Sequence, residues 1–514
     1  MTSAETPLPS SNDRERHLRT DDLINDLGHR TARGGAITIF AQGTKFFLSM
    51  VGTIILARLL TPEDYGLVGM VAVVTGFIAI FKDLGLAVAT IQKTEINSQQ
   101  ISTLFWVNIL VSVGLMLLTV AIAPGVAWFY GEPQLTAITI AYAAGFLFGG
   151  LTVQHEALLR RRMRFMALAT AEIIALVVSS ILAITLAWHG ARYWALVSSP
   201  LCFGLIYGLA VWSSCGWRPG LPVRNSGVGE MLAFGGNLTG FGVVNYFARN
   251  LDNLLIGRFW GPQQLGLYAR AYQLLLLPID QMITPITAVA VPALSRLKDS
   301  PERYRHAYLR LLEKVALLTM PLMAFMIVSS DWLVAIVLGS KWAGVSPIFS
   351  LLGIAGLVQP LASTAGWLFV TQGRTQDMFK WGMIGSTITV AAIVAGLKWG
   401  AVGVAASYSL TTIIIVIPLL FWFVSRSGPV RMIDFYRTVA PVALASMCSF
   451  GVLLSLKRSV SFDRPLVGLG VSVVVVVATT LGILVLLPQG RLVLLDLKHT
   501  IALLLRKPTP SVAR

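Results

Sequence analysis

Charge is what this sequence has least of. Only 12% of its 514 residues are charged, about half the roughly 25% usual in a soluble domain. That shortage excludes an ordinary soluble enzyme. With 55% hydrophobic residues and a mean hydropathy of +0.73, a disordered chain is excluded as well. Cysteine is nearly missing: Cys202, Cys215 and Cys448 are scattered and form no CxxC pair or metal spacing. The six histidines make no HxxxH-type ligand set, and no GxxxxGK[ST] phosphate loop occurs. No metal site, no cofactor, no catalytic residue and no ATP hydrolysis is therefore expected. Long polar stretches are absent too. The loops average about 11 residues, far below the roughly 50 that a domain needs, which weighs against membrane glycosyltransferases and ligases built around a large soluble domain.

What is present is a succession of apolar runs, each of the roughly 20 residues that cross a bilayer. Fourteen spans are read: 34–57, 65–85, 101–123, 135–156, 166–188, 193–213, 230–256, 266–290, 308–329, 345–370, 379–397, 401–424, 437–456 and 465–487. The chain is read as an all-α polytopic membrane protein. The first 33 residues are polar and lack the pattern of a cleaved signal. The formal net charge is +16, and it is unevenly placed. With the N-terminus inside, the inside segments hold about 29 Lys and Arg and the outside loops about 8, which puts both termini in the cytoplasm. Topology thus accounts for the basic balance, and nucleic acid is not an expected partner. The segment 491–507 is apolar with a basic rim. It is expected to lie in the cytoplasmic interface, since Asp496 and Lys498 argue against a further span.

An internal repeat appears at an offset of 200. Residues 56–67 read LARLLTPEDYGL and residues 256–267 read IGRFWGPQQLGL, so that Arg58 meets Arg258, Pro62 meets Pro262, and Gly66 meets Gly266. Six spans separate the copies. An even number means parallel repeats, related by an axis along the membrane normal. The motif itself reads as a turn, with Pro starting a helix and Gly allowing a tight bend.

Polar groups inside the spans are the candidate site. Gln42, Lys45, Ser49 and Thr53 share one face of the first span. Asn245, Arg249, Asp252 and Asn253 share one face of the seventh, and the repeat superposes the two stripes. The eighth span adds Arg270, Gln273 and Asp280. A charge at the bilayer centre costs roughly 2.5–3.5 kcal/mol on insertion scales, so such residues face a cavity or a partner. Lys45, Arg249 and Arg270, with Gln42, Asn245, Asn253 and Gln273, are candidates for a cationic cleft that binds an anion. The competing reading pairs Arg249 with Asp252, or Arg270 with Asp252. Asp252, Asp280 and Glu172 are the candidates for coupling to an ion or proton. Arg160, Arg161, Arg162 and Arg164 read first as a topology anchor and second as a cytoplasmic mouth that attracts negative head groups.

The run ILARLLTPEDYGLVGMVAVVTGFIAIFKDLGLAVATIQK at 55–93 resembles the start of polysaccharide-transporter proteins, the Wzx-type oligosaccharide flippases. So do QHEALLRRRMRF at 154–165, NLDNLLIGRFWGPQQLGLYARAYQLLLLP at 250–278 and VPALSRL at 291–297. The resemblance covers most of the chain. It implies the fold of the multidrug/oligosaccharidyl-lipid/polysaccharide superfamily, two six-helix bundles forming a V. These would be 34–213 and 230–424, preceded by a tail 1–33, joined by a linker 214–229, and followed by two added helices in 437–487 and a tail 488–514. It further implies export of polyprenyl-diphosphate-linked oligosaccharide across the bacterial inner membrane, for lipopolysaccharide, capsule or exopolysaccharide. Membrane lipids, a polysaccharide polymerase and a chain-length regulator are candidate partners, and a monomer is expected. Two alternatives stay open: a multidrug or cation extruder of the same fold, and a non-transporting subunit of a synthesis complex.

Overall fold

The structure is a computed structural model. It describes residues 27–82, 87, 90–91, 96–223, 229–462 and 464–505, and the backbone alone for 27–36, 39, 229–245, 248 and 499–505. Asn245 and most of the tail 1–33 therefore lie outside the described side chains. Among the described residues every regular element is helical. In chain order the first seven are α1 (Leu27–Leu59), α2 (Pro62–Ala79), α3 (Ser98–Tyr130), α4 (Gln134–Arg161), α5 (Phe165–Trp188), α6 (Tyr193–Cys215) and α7 (Gly229–Ser295). The remainder are α8 (Pro301–Val328), α9 (Ser330–Val337), α10 (Val345–Gly356), α11 (Gln359–Thr371), α12 (Thr375–Gly396), α13 (Gly400–Thr411), α14 (Ile417–Ser425), α15 (Met432–Ser459), α16 (Pro465–Leu486) and α17 (Pro488–Leu505). The chain divides into two compact units, Met1–Gly266 and Leu267–Arg514.

Twelve segments among the described residues are long and apolar enough to cross a membrane, rather than fourteen. Two of them, Arg249–Ser295 with 47 residues and Thr375–Ser425 with 51, cover two expected spans each. At 1.5 Å per residue they are about 70 Å and about 75 Å long, against a hydrocarbon core of about 30 Å. The helical run simply persists where separate spans were read. In α7 it is interrupted at Gly261 alone, with φ +78° and ψ −179°. Between α12 and α13 only a short 3₁₀ turn, Leu397–Trp399, and the positive φ of Gly400 intervene.

In the first unit, the turn before α2 is built as its sequence asks. Pro62 occupies the first helical turn, where its missing N–H costs nothing. Thr61 and Asp64 form a reciprocal capping box: the Asp64 amide donates to Thr61 Oγ1 at 3.3 Å, and the Thr61 amide to Asp64 Oδ2 at 3.0 Å. The buried Asp64 also meets Arg192 Nε at 3.3 Å, reaching across from the α5–α6 turn, where Arg192 itself takes φ +49°. The two copies of the repeat pack on one another. Gly66 lies directly against the carbonyl of Pro262, and Gly266 directly against the carbonyl of Pro62, neither with room for a Cβ. Further along α2, Tyr246 of α7 donates its hydroxyl to the Val73 carbonyl at 2.7 Å, seated over Gly76.

A second repeat, which the sequence reading did not find, emerges at an offset of 210. In the first unit Met163 takes φ +53°, and the next residue, Arg164, donates to the Ser214 carbonyl at the end of α6, 2.7 Å away. In the second unit Gly373 takes φ +70°, and Arg374 donates to the Val424 carbonyl at the end of α14, 3.0 Å away. Each arginine satisfies a carbonyl that the helix leaves unpaired and opposes the negative end of its dipole. The linker is also tied down. Trp217 is buried beside Phe105, His155 and Trp212. Beyond it, Gly220 and Val223 exchange hydrogen bonds of 2.9–3.1 Å with Ser102, Thr103 and Trp106 of α3.

In the second unit, α15 lies along α8. Lys457 binds the Val328 carbonyl at 2.7 Å and Asp331 of α9 at 2.5 Å. Trp332 of α9 meets Phe462 edge-on and covers Gly468 of α16. The last helix, α17, is held to α8 through Asp496, which pairs with Arg310 and, at 3.2 Å, with Lys314. Burial resists ionisation of Asp496, but the hydrogen bonds from Arg310 and Lys314 outweigh it and hold the carboxyl below the usual range. A depressed carboxylate contributes stability above the unfolded pKa of about 4 and loses it as pH falls through its own lower value. Hydrogen exchange followed from pH 7 downward is therefore expected to show amides 493–497 deprotected only below about pH 4. In Asp496→Asn they are already less protected at pH 7. Equal protection of the two proteins at pH 7 rules out this clamp.

Candidate functional site

Lys45 stands on α1, flanked along the same face by Gln42 and Ser49, which are exposed, and Thr53, which is half-buried. Its ammonium does not point into open space. It forms an ion pair with Glu172 of α5, one of the groups singled out for ion coupling. The two side chains are 23% and 24% exposed, so water and a solute reach both. They come together because α1 packs against α5 over a shared length, where Ser180 approaches Gly52.

Arg249 is exposed on the first arm of α7, and no described group pairs with it. The competing reading, neutralisation by Asp252 one turn on, is not what the structure has. Asp252 is instead buried, and accepts a hydrogen bond from the Asn253 amide at 2.8 Å. The Asn253 side-chain oxygen is buried with no hydrogen-bond partner among the described atoms. In the second unit, Arg270 donates to Gln273 Oε1 at 2.6 Å, and Asp280 is exposed.

The arginine run is mostly committed within the first unit. Arg160 is paired with Glu156 on its own helix, Nε donating at 2.9 Å. Arg161 donates to the Thr90 carbonyl at 3.2 Å, Arg162 is engaged as well, and Arg164 caps α6. These contacts fit the anchoring reading and leave less cationic capacity for a head group than four free guanidinium groups. One cation that the sequence reading passed over is Lys82, after α2. It is half-buried over Gly149 of α4, with no described carboxylate paired to it. Its position as the first basic residue after a long apolar run was the available signal.

The arrangement in the first unit is thus one opposed cation, Lys45, and one unopposed cation, Arg249, both in largely apolar helices. Arg offers paired N–H donors to phosphate oxygens, and Lys a single compact charge. No group of three or more His, Cys, Asp or Glu able to hold a metal occurs among the described residues.

A family model described as "Polysaccharide biosynthesis protein" matches residues 55–347. The teichuronic acid biosynthesis protein TuaB of Bacillus subtilis is 30% identical over 310 residues, 60% of this chain and 64% of that protein. The lipopolysaccharide biosynthesis protein WzxC of Escherichia coli is 26% identical over 401 residues, 76% of this chain and 80% of that protein. The chain thus spans somewhat less than two thirds of the first relative and more of the second. Among solved structures, the lipid II flippase MurJ in an inward closed conformation superposes with a TM-score of 0.70 at 16% identity, covering 87% of this chain and 97% of that one. An inward-facing multidrug resistance transporter of the MATE family, in the MOP superfamily, gives 0.57 at 14% identity, covering 77% and 96%. At these identities the likeness is one of fold.

Proposed function

Because the chain belongs to the polysaccharide biosynthesis protein family, we propose that it is a flippase of the bacterial inner membrane. Its cargo is a polyprenyl-diphosphate-linked oligosaccharide for lipopolysaccharide, capsule or exopolysaccharide, moved by alternating access. Both termini are cytoplasmic, and the work is transport rather than catalysis. The bundles are 34–213 and 230–424, with helices 437–487 added. Relatives named for lipopolysaccharide and teichuronic acid biosynthesis, and one named a succinoglycan biosynthesis transport protein, support the cargo class.

The observation that carries the reading is Arg249. A guanidinium exposed on a helix of an apolar segment, with no described carboxylate paired to it, is tolerated at membrane depth only beside water or an anion. A diphosphate supplies that anion, and its lipid tail stays in the bilayer while the charged part crosses. Lys45, Arg270, Gln42 and Gln273 are proposed to complete the binding surface, with Asn245 and Asn253.

The test is flipping in proteoliposomes. Purified protein is reconstituted with a polyprenyl-diphosphate-linked N-acetylglucosamine carrying a dithionite-quenchable fluorophore on the sugar. The expected result is faster loss of protected fluorescence than in protein-free vesicles. No acceleration, with or without an imposed proton or sodium gradient, overturns the proposal.

A further inference from the structure

The flippase reading asks Lys45 to bind an anion, yet in the structure Lys45 already has one. We propose that Glu172 is an internal competitor for Lys45, and that its carboxylate releases the phosphate group of the cargo by taking the ammonium back. This rests on the flippase reading and assigns Glu172 a positioning role within it.

The argument starts from what transport requires. A carrier that holds its cargo tightly in both orientations binds well and turns over slowly, because departure becomes the slow step. A bare ammonium among apolar helices would be such a trap, since the low local dielectric strengthens any ion contact. Lys45 is not bare. Glu172 sits on a helix packed against α1, in direct contact with the ammonium, and both groups are about three-quarters covered. Partial cover lets a phosphate oxygen approach and still leaves the pair stronger than one at an open surface. Binding thus exchanges one anion for another at Lys45, and release reverses the exchange without stranding an unpaired lysine. The displaced carboxylate has neighbours to face. Tyr207 of α6 and Arg160 of α4 both feel the charge of Glu172, and Arg160 in turn is held by Glu156. Lys45 and Arg160 in this part of the first unit are therefore each already opposed by a carboxylate. Arg249 is the contrast, an unopposed cation suited to holding cargo rather than letting it go.

The sequence gives little hint of this. Lys45 and Glu172 are 127 positions apart, and each taken alone suggests a separate task, anion binding for one and ion coupling for the other.

The experiment compares wild type, Glu172→Gln and Glu172→Asp in the vesicle assay above, with the tagged polyprenyl-diphosphate-linked N-acetylglucosamine varied in amount. Removing the competitor is expected to lower the half-saturating probe content about tenfold, as for losing one partly covered ion contact, and to lower the maximal flipping rate by a similar factor. Glu172→Asp, which keeps the charge, is expected to recover most of the maximal rate. A purely structural role predicts the opposite split: a lower rate with an unchanged or higher half-saturating content, and no difference between Gln and Asp in kind. That result overturns the proposal. If Glu172→Gln is not recovered as monodisperse protein, wild-type binding decides instead. Titrating the detergent-solubilised protein with the probe should break the Lys45–Glu172 contact, read by isotope-edited infrared bands of the carboxylate; an unchanged band on binding overturns the competitor. If wild type neither binds nor flips the probe, the flippase reading falls and this inference with it. If wild type flips but the split is absent, only the inference falls.

Discussion

A single methyl group added at Gly66 is expected to cost the protein about 3 kcal/mol or more of stability. On an exposed helix the same change is favourable by roughly 0.5–1 kcal/mol. The reversal comes from what the methyl meets. A Cβ on Gly66 runs into the carbonyl of Pro262, which is backbone and cannot rotate away, and a Cβ on Gly266 runs into the carbonyl of Pro62. One turn along, Gly69 has only the flexible Leu265 side chain at 3.5 Å, so Gly69→Ala is the matched control and is expected to be near neutral. Thermal unfolding in detergent reads the difference. Because both substitutions open the same contact, Gly66→Ala and Gly266→Ala together should cost less than the sum of the two. Equal transition temperatures for Gly66→Ala and Gly69→Ala would remove the reciprocal contact from the account.

The second large effect is on transport. Lys45→Ala combined with Arg249→Ala is expected to slow flipping at least about a hundredfold, since each lost charge-assisted contact is worth about 1.5–3 kcal/mol. The pairing of Lys45 complicates the single variants in a useful way. Lys45→Ala alone strands Glu172, which both loosens the α1–α5 packing and repels the cargo. Lys45→Ala with Glu172→Ala should recover the folded yield but not the flipping rate. If the Lys45/Arg249 double variant inserts and flips like wild type, the cationic assignment is wrong.

The fold class was readable because a bilayer imposes its length on every apolar run, and the turn at Pro62 because Thr, Pro, Asp and Gly stand at fixed local offsets. Local chemistry of that kind survives translation into structure. The offset of 200 was visible for the same reason: Pro62 and Gly66 recur as Pro262 and Gly266 within one short motif. The repeat at 210 was not, because Arg164 and Arg374 each act on a carbonyl fifty positions downstream, and no residue type marks a carbonyl in advance. Span counting failed for a related reason. At Gly261 the backbone leaves the helical region at one residue only, and hydropathy cannot see a single φ. Asp496 was read as an obstacle to burial; the structure gives it Arg310 and Lys314, partners nearly two hundred positions earlier. Lys45 and Glu172 were each identified but not joined, since only helix packing sets which polar faces meet.

The shift from 200 to 210 also has a location. In the first half, α3 and α4 are separated by residues 131–133 alone, whereas the corresponding α8 and α10 are separated by residues 329–344, which include α9 and a 3₁₀ turn. That surplus segment is where α15 and α16 are fastened, through Lys457 on Asp331 and through Trp332 on Phe462 and Gly468. The first half has no such ledge. If the halves descend from one duplicated ancestor, the asymmetry orders the events: the copies separated, one of them lengthened a connection, and the extra helix pair settled where that lengthening had made a berth. The two added helices would then be a late attachment to one half, fitted to a feature that the ancestral repeat never had.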